Sequence, residues 1–361
     1  MQPFIPHTLP LSTLDWSKFI HLIGEANREL ARFDGLLQSM PNPAVLLSPL
    51  TTREAVLSSK IEGTQVTLQE VLEFEANPED HKEKHDQIEE VLNYRRAMHY
   101  ATGNLNEVSF SGRLLRGIQS ILLEWVRWAN KERGSFRKKQ VHIGSSSKVS
   151  EDDYIPPAPQ LVPSAFKNLE DYCHLDDKDV IVQMGILHAQ FEIIHPFEDG
   201  NGRVGRIILP LFLYFKGILS SPMFYLSSYL EEHRDEYYAH LKNISHKNDW
   251  DSWILYFLKA VIGQAKENVA KAKAIHDLYK DKKLKIATLT RSQFSIQTLD
   301  FLFSYPLFTS SQFYERSKIP LATAKRILKL LEKNNIISLL KEGKWRRWGT
   351  YFFPELIKIT W

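Results

Sequence analysis

Residues 195–206, HPFEDGNGRVGR, concentrate groups that could bind phosphate. The three residues Gly200-Asn201-Gly202 let the backbone adopt conformations that a Cβ excludes, so successive N–H groups can converge on an anion. Arg203 and Arg206 are three positions apart and share a face in the first turn of a helix that starts here. Cations at a helix N-terminus oppose the helix dipole, at a cost of about 0.3–1 kcal/mol each. A compensating anion is therefore expected, and a polyphosphate fits two arginines and a dipole.

Two further side chains in this stretch could act on a bound phosphate. Asp199 alone does not balance the two arginines, and a carboxylate beside a nucleotide commonly holds a divalent metal ion that bridges phosphate oxygens. His195 is the group nearby that can take up a proton near neutral pH. The stretch therefore predicts a nucleotide site with a general base.

Two buried helices are expected to hold this stretch rigidly. The preceding segment, DVIVQMGILHAQFEII, places apolar residues on one helical stripe. Pro196 prevents that helix from continuing smoothly beyond His195. The following segment, VGRIILPLFLYF, is apolar on nearly all sides, as a central buried helix is. The polar groups thus lie in a short loop between two core elements.

The stretch resembles the signature of the Fic family, His-x-Phe-x-(Asp/Glu)-Gly-Asn-Gly-Arg-x-x-Arg, and matches it at every fixed position. The preceding HAQFEII and the segment ending in IPPAP are also similar to members of that family. The resemblance covers about residues 90–270. It implies an enzyme that transfers AMP from ATP to a Ser, Thr or Tyr hydroxyl of target proteins and of itself, with release of pyrophosphate.

The resemblance assigns a task to each residue of the stretch. His195 would deprotonate the target hydroxyl, which attacks the α-phosphate of ATP. Phe197 would anchor the loop in the core, and Asp199 would bind Mg²⁺. Arg206 would hold the γ-phosphate. The residues implied in ATP binding are Asp199, Gly200, Asn201, Gly202, Arg203 and Arg206.

The resemblance also implies two contacts outside the signature. A flap, over about residues 137–160, would dock the target segment by strand addition through Ile143-Gly144-Ser145 and Tyr154-Ile155. Tyr237 and Tyr238 resemble paired tyrosines that lie near adenine in relatives, and core packing is the alternative for both.

The segment SSKIEGT, residues 58–64, could end a helix, because Gly63 suits the position after a helix C-terminus. Ser58 and Glu62 are four positions apart and lie on one helical face. Beside a Fic core the segment resembles the inhibitory motif of that family, (Ser/Thr)-x-x-x-Glu-(Gly/Asn). The resemblance implies that Glu62 pairs with Arg206 in a bidentate fashion and so prevents productive binding of ATP.

The fold class in this interpretation is mainly α, with three regions. Residues 1–85 form a helical N-terminal region, with the inhibitory helix at about 52–63 opened by a capping-box pattern at Thr51. Residues 86–275 form the Fic-type helical core with its β-hairpin flap. Residues 290–361 have the pattern of a winged helix-turn-helix domain, with a two-stranded wing at the end.

The C-terminal region is expected to meet an anionic partner. From Thr309 to Trp361, eleven Lys or Arg stand against four Glu, a net charge of +7 that leaves −4 for the rest of a chain of net charge +3. DNA binding would use such cations on phosphates, and the alternatives are packing against the core, dimerisation and presentation of protein targets. The cations concerned are Lys325, Arg326, Lys329 and Lys333 on the recognition helix, and Lys344, Arg346 and Arg347 on the wing.

The composition indicates a globular protein of the cytoplasm. Of 361 residues, 43% are hydrophobic and 25% are charged, which is ordinary for such proteins. The longest apolar run, Ile207–Phe215, is shorter than the roughly 20 residues that span a membrane, and the N-terminal residues lack the layout of a secretory signal. The single Cys173 cannot form an internal disulfide, which fits a reducing compartment. No membrane partner is predicted, and a homodimer is left open.

Two rival functions use the same residues. A Fic fold could remove AMP or transfer phosphate instead, although the unaltered motif argues against phosphate transfer. A DNA-binding regulator could use the core only to sense nucleotide, but sensing needs no base such as His195. A self-inhibited protein adenylyltransferase is the favoured hypothesis.

Overall fold

The computed structural model describes residues 2–124, 132–144, 154–343 and 348–360, and these residues are mainly helical. The expectation of a mainly α fold is confirmed. The α-helices of the described residues are α1 (Ile20–Ser39), α2 (Pro43–Leu46), α3 (Ser48–Ile61), α4 (Leu68–Ala76), α5 (His85–Val108), α6 (Gly112–Leu122), α7 (Val162–His174), α8 (Val180–Ile194), α9 (Asn201–Phe215), α10 (Ser227–Glu232), α11 (Arg234–Lys247), α12 (Trp250–Thr290), α13 (Ser295–Ser304), α14 (Ser310–Arg316), α15 (Leu321–Lys333) and α16 (Pro354–Thr360).

Three short strands form an antiparallel sheet near the C-terminus: β1 (Leu307–Thr309), β2 (Ser338–Lys341) and β3 (Thr350–Phe352). β3 lies in the middle, between β1 and β2, and Phe308 of β1 is paired with Tyr351 of β3. Short 3-10 turns occur at Trp16–Lys18, Lys82–Lys84 and Pro159–Leu161.

The predicted pair of buried helices is present as α8 and α9. Asp179 caps α8, because its carboxylate accepts hydrogen bonds from the N–H groups of Ile181 and Val182, each at 2.9 Å. Most side chains of both helices are buried, so the short segment between them is fixed at both ends by the core.

The 41-residue helix α12 connects this core with the C-terminal elements. Its first half is buried against α8, where Trp253 Nε1–H donates to the Gly185 carbonyl at 2.9 Å. α1 packs along it on another side. Its second half contacts α13 and α16, where Tyr279 O–H donates to the Asp300 carboxylate at 2.8 Å. One helix therefore relates the N-terminal helices, the core and the C-terminal sheet.

The capping box predicted at Thr51 is wrong. α3 starts at Ser48, because Pro49 suits the first turn of a helix, where its missing N–H has no intrahelical partner to lose. Thr51 lies inside the helix, and its hydroxyl is 2.8 Å from the Tyr225 hydroxyl. The helix ends at Ile61 with Glu62 as its C-cap. The capping box found in this region opens the next helix, α4, with Thr67 as the N-cap.

The C-terminal elements follow one another in the order α13, β1, α14, α15, β2, β3. This is the order expected of a helix-turn-helix with a wing, and the additional strand β1 pairs with the second wing strand. The winged helix-turn-helix designation stays a prediction, as do the three region boundaries. Lys344, Arg346 and Arg347 lie outside the described residues.

In the part of the chain that the structure describes, none of the helices combines the length and the apolar character needed to cross a membrane.

Candidate active site

The segment between α8 and α9 is held in one shape by its own side chains. His195 ends α8 in the left-handed region, with φ of 49°, and its N–H donates to the Phe191 carbonyl at 3.0 Å. Asn201 uses its side-chain amide twice on Phe197, accepting from N–H and donating to the carbonyl, each at 2.9 Å. Its side chain therefore shapes the loop, and Phe197 is buried against Phe136 and Phe191 as an anchor.

Arg137 supports the same loop, and sequence reasoning missed it. It is 2% exposed, and its Nε–H donates to the His195 carbonyl at 2.8 Å. Its other guanidinium N–H groups donate to the carbonyls of Lys139, Pro157 and Ile194. Arg137 thus joins the start of the predicted flap to the segment between α8 and α9. In sequence it stands in FRKKQ beside two lysines, and nothing in that run distinguishes it from a solvated cation.

A cavity of about 560 Å³ brings most of the predicted residues together. Its lining also includes Glu192, which the sequence analysis did not select. The predicted residues in its wall are Glu62, Ile143, Gly144, Tyr154, His195, Gly202, Arg206, Tyr237 and Tyr238.

The first turn of α9 presents a buried cation with unmet donors. The side chain of Arg203 is 5% exposed, and its Nη2–H lies 3.4 Å from Oδ1 of Asp199. Nε and Nη1 of Arg203 have no hydrogen-bond partner among the described residues. Gly200, with φ of +80°, precedes this turn as its N-cap. Unmet guanidinium N–H groups beside the N-terminus of a helix are suited to an anion.

Arg206, three residues further, is held by the end of α3. Its Nε–H donates to the Ser58 hydroxyl at 2.8 Å, and its Nη2–H donates to the Ser58 carbonyl at 2.9 Å and to Glu62 Oε1 at 2.7 Å. The expected bidentate pairing with Glu62 is therefore wrong, because Ser58 occupies the Nε side of the guanidinium. The approach is close: a Cβ at Gly202 would lie 2.1 Å from Glu62 Oε1. Gly63, with φ of +95°, turns the chain away after this contact.

Burial and neighbouring charges shift the pKa values of Glu62 and His195. Burial raises the pKa of Glu62, but the charge and hydrogen bond of Arg206 and the charge of Arg203 outweigh it and leave that pKa below its ordinary value. Burial lowers the pKa of His195 to about 4, against the opposing effects of the Glu192 main chain and of Glu62. His195 is therefore neutral at pH 7 and can accept a proton.

The two predicted tyrosines have different environments. Tyr237 is 1% exposed, and its O–H donates to Nε2 of His188 at 2.9 Å, while Nδ1–H of that histidine donates to the Gly205 carbonyl at 3.1 Å. Burial lowers the pKa of His188 to about 3, so the ring stays neutral and the hydrogen bonds keep these directions. Tyr238 is 40% exposed with the Arg234 guanidinium 5.8 Å from its ring centre. Tyr237 is thus a core residue that also borders the cavity, whereas Tyr238 presents its ring to it.

The predicted flap is described only at its base. Ile143 and Tyr154 form an antiparallel bridge with both backbone hydrogen bonds at 2.9 Å. Ser145 lies outside the described residues. The Ile155 carbonyl accepts from the N–H of Phe4 at 3.0 Å. The flap base therefore borders the cavity through Ile143, Gly144 and Tyr154, and contacts the N-terminal segment through Ile155.

Comparison with known protein families gives two matches. Residues 20–103 match the model described as Fic/DOC family N-terminal, and residues 109–213 match the model described as Fic/DOC family. Together the two ranges make up more than half of the chain.

Curated relatives match over shorter segments. A protein of Aquifex aeolicus named "Probable protein adenylyltransferase" is 41% identical over 68 residues, which are 19% of this chain and 21% of the relative. The protein adenylyltransferase fic-1 of Caenorhabditis elegans is 30% identical over 131 residues, 36% of this chain and 23% of the relative. The chain thus spans less than a quarter of the length of these relatives.

Solved structures share the fold over more of the chain. A Fic family protein from Desulfovibrio desulfuricans G20 covers 98% of both chains with a TM-score of 0.59 at 18% identity. Fic-1 of C. elegans, residues 134–508, covers 71% of this chain and 73% of its own, with a TM-score of 0.52 at 22% identity. The first of these likenesses extends through the C-terminal elements.

Proposed function

The chain belongs to the Fic/DOC family, and we propose that it is a self-inhibited enzyme that transfers AMP from ATP to hydroxyl groups of proteins, itself included. The matched relatives named protein adenylyltransferase support this activity. The observation that carries it is the buried guanidinium of Arg203, which has unmet donors among the described residues and lies in the first turn of α9, eight residues after His195. A bound polyphosphate would satisfy those donors next to a neutral base.

The reaction uses His195 as the base. A Ser, Thr or Tyr hydroxyl of the target gives its proton to the imidazole, and its oxygen attacks the α-phosphorus of ATP. The new P–O bond forms as the bond from the α-phosphorus to the bridging oxygen breaks, and the electron pair leaves with pyrophosphate. Arg203 and the N–H groups of the α9 N-terminus stabilise the charge on the phosphate oxygens. The low pKa of His195 keeps the ring able to accept the proton at neutral pH.

Asp199 fits a role in holding Mg²⁺. Across the described ranges, no cluster of three or more His, Cys, Asp or Glu side chains is placed to hold a metal ion by itself. Mg²⁺ commonly takes one or two carboxylates and completes its shell with phosphate oxygens and water, so one aspartate is sufficient when ATP is present. The ion would neutralise phosphate charge. Asp199 also accepts from the Gly200 N–H at 2.5 Å, which orients its carboxylate beside the phosphate cradle.

The remaining cavity residues are proposed to orient the two substrates. Tyr238, whose ring borders the cavity, would pack on adenine, with Tyr237 behind it. Ile143 and Gly144 of the flap would dock the target segment by strand addition. This arrangement puts the adenine and the target on different walls of one cavity that also contains His195.

Glu62 is proposed to switch the enzyme off. It occupies Nη2 of Arg206, the residue assigned to the γ-phosphate, at 2.7 Å. Both the carboxylate and a phosphate oxygen carry negative charge, so they compete for one guanidinium. Removal of the carboxylate would therefore let ATP bind in the productive orientation.

The test compares Glu62→Gly and wild-type protein with ATP labelled at the α-phosphate. The variant is expected to incorporate about tenfold more label or more, which corresponds to about 1.4 kcal/mol or more. Equal or lower incorporation by a folded Glu62→Gly variant would contradict the inhibitory role. The double variant Glu62→Gly/His195→Ala is expected to bind ATP and to transfer nothing, and retained transfer would rule out His195 as the base.

The same experiment separates the rival functions. Incorporation from γ-labelled ATP would indicate phosphate transfer, and release of AMP from a labelled target would indicate removal of the modification. ATP binding without incorporation by Glu62→Gly would favour a regulator that only senses nucleotide. An anionic partner of the C-terminal elements is compatible with each of these functions.

A further inference from the structure

The first residues of the chain contact the base of the flap at Tyr154 and Ile155. The N–H of Phe4 donates to the Ile155 carbonyl at 3.0 Å, and the Phe4 ring lies 6.0 Å from the Tyr154 ring, centre to centre. Tyr154 in turn borders the cavity, and its O–H donates to the Ile193 carbonyl at 2.8 Å. Phe4 is therefore one side chain away from the wall of the site.

The same segment is fixed to the core at its other end. Leu9 exchanges two hydrogen bonds with the Asn168 side chain, at 2.8 and 3.0 Å, which ties it to α7. The His7 carbonyl accepts from Nε2 of Gln190 in α8 at 2.6 Å. The His7 ring packs edge-on against Trp250, the first residue of α12. We call residues 4–9 the N-terminal strap.

The strap is positioned by main-chain hydrogen bonds as well as by apolar packing, since Leu9 is 4% exposed in the core. Ile5, between its contact residues, is 75% exposed, so the segment is not simply buried in the core. Two of its contacts, with Gln190 and Asn168, are made by main-chain atoms, which fixes the path of the chain. The Gln190 contact lies five residues before His195 on α8. Through the strap, the position of the flap base is thus tied to α8, the same helix that ends at the catalytic histidine.

We propose that the strap is a positioning element for the flap and that Phe4 is its positioning residue. This inference rests on the proposed transfer reaction. Phe4 contacts Tyr154 and Ile155. The Ile143–Tyr154 bridge connects these residues to the flap residues that line the cavity. The strap therefore sets how closely a docked hydroxyl approaches His195, while the phosphate cradle of α9 does not depend on it.

The experiment uses the full chain in a Glu62→Gly background. The acceptor is a separately tagged His195→Ala copy of the same chain, so that label on it reports transfer from the active copy. Phe4→Ala is expected to raise the acceptor concentration at half-maximal rate, or to lower the rate per acceptor, by about fivefold, because a displacement of about 1 Å between reacting groups can cost up to about 10²-fold. The ATP concentration at half-maximal rate is expected to stay within about twofold, which also reports a folded core.

Ile5→Ala is the matched control, since the Ile5 side chain is exposed on the same segment. Phe4→Leu is expected to keep most of the activity that Phe4→Ala loses, because leucine keeps an apolar contact with Tyr154. Label on the active copy itself is also measured in each variant, so that transfer to a hydroxyl of the same chain is detected. Phe4→Ala and Ile5→Ala with equal kinetics would overturn the role of the strap. If Phe4→Ala does not fold, Phe4→Leu is compared with Ile5→Leu instead. Equal kinetics of these two variants would overturn the role. A rise of less than about fivefold in the acceptor concentration at half-maximal rate of Phe4→Leu, with the ATP concentration at half-maximal rate unchanged, would support it. An inactive Glu62→Gly parent would instead overturn the proposed function.

Discussion

Glu192 is a carboxyl group in the wall of the cavity that keeps its proton close to neutral pH. Burial raises its pKa to about 8, and the negative charge of Glu62 adds to this, although Arg206 acts in the opposite direction. Its Oε1 atom has no hydrogen-bond partner among the residues that the structure describes. The absence of a Cβ at Gly205 makes room for it, because such an atom would lie 2.2 Å from Oε1. The carboxyl thus adds a polar group to the site without adding a full negative charge next to bound phosphate.

Glu192→Gln is expected to stabilise the protein increasingly as pH rises. The pKa of about 8 in the folded chain exceeds the ordinary value of 4.5, so between these values the folded state holds a proton that the unfolded state has released. Stability from this group therefore falls with pH across that window, by at most about 1.4 kcal/mol per pH unit, and levels off above it. Glutamine does not titrate. Thermal unfolding from pH 5 to 9 should show that the stability of the variant relative to wild type increases up to about pH 8 and then stays constant.

Glu62→Gln provides the control for this titration. The pKa of Glu62 is lowered, so its contribution to stability is present above the ordinary value and is lost only as pH falls below it. The difference between Glu62→Gln and wild type should therefore stay constant over the lower part of this range and change only toward pH 8, because the charge of Glu62 also raises the pKa of Glu192. A constant difference for Glu192→Gln over the same range would show that its carboxyl is ionised throughout.

The residues that sequence could identify are those with a fixed spacing inside one segment. The signature indicated His195 and Arg206 together, and the resemblance of the segment with Ser58 and Glu62 to the inhibitory motif of the family indicated a partner for the arginine. Glu192 and Arg137 were missed because each stands in an ordinary context, one in an apolar helix and one in a run of cations. Their roles arise from contacts across the fold, such as that of Arg137 with the His195 carbonyl.

At the scale of elements, α3 is held in place by the carboxylate of Glu54, the acid of the capping-box pattern predicted at Thr51. Glu54 precedes Ser58 and Glu62 by four and eight positions, so all three lie on one face of the helix. Its carboxylate accepts from the hydroxyl of Tyr94 at 3.0 Å and from the hydroxyl and N–H of Ser227 at 2.6 and 3.2 Å. α3 is thus fixed to α5 and to the start of α10 two turns before it reaches Arg206. Sequence predicted the end of this helix from Gly63, but not its start or its anchor.

Ser227→Ala is expected to weaken this anchor and to release part of the inhibition. Loss of one hydrogen bond changes stability by about 0.5–1.5 kcal/mol, which would shift the position of α3 in favour of transfer by about two- to twelvefold. Incorporation of α-labelled ATP should therefore rise, but less than in Glu62→Gly. Lys60→Gln is the control on the same helix, because its ion pair with Glu231 of α10 lies at the surface, where such a pair contributes about 0–1 kcal/mol, and it is expected to change incorporation less. A Ser227→Ala variant no more active than Lys60→Gln would show that Glu54 does not hold the inhibitory helix.

At the scale of the whole molecule, the C-terminal elements are joined to the N-terminal helices. Leu307 of β1 packs with Leu72 and Ala76 of α4. Lys341 Nζ lies 3.0 Å from both Glu73 and Asp80. The C-terminal sheet therefore rests on α4, the helix that follows α3, and part of the positive charge that the sequence assigned to an external partner serves this internal contact.

The cations of α15 include described residues that a partner could reach. Lys325, Lys329 and Lys333 are exposed on α15, whereas Arg326 donates to the Thr290 carbonyl at 3.2 Å.

If this face binds duplex DNA, the full chain should shift a duplex at low salt, and replacing the three lysines by glutamine should reduce the slope of log affinity against log salt by about 2 to 3. Lys341→Gln is the control, because that lysine is engaged with α4, and it should leave the slope nearly unchanged. Binding that is absent at low salt, or equal in the triple variant, would leave packing against the core, dimerisation and presentation of protein targets as the possible functions of this region. A rise in label incorporation on adding duplex to wild type, absent in the triple variant, would connect α15 to the inhibitory helix through the sheet and α4.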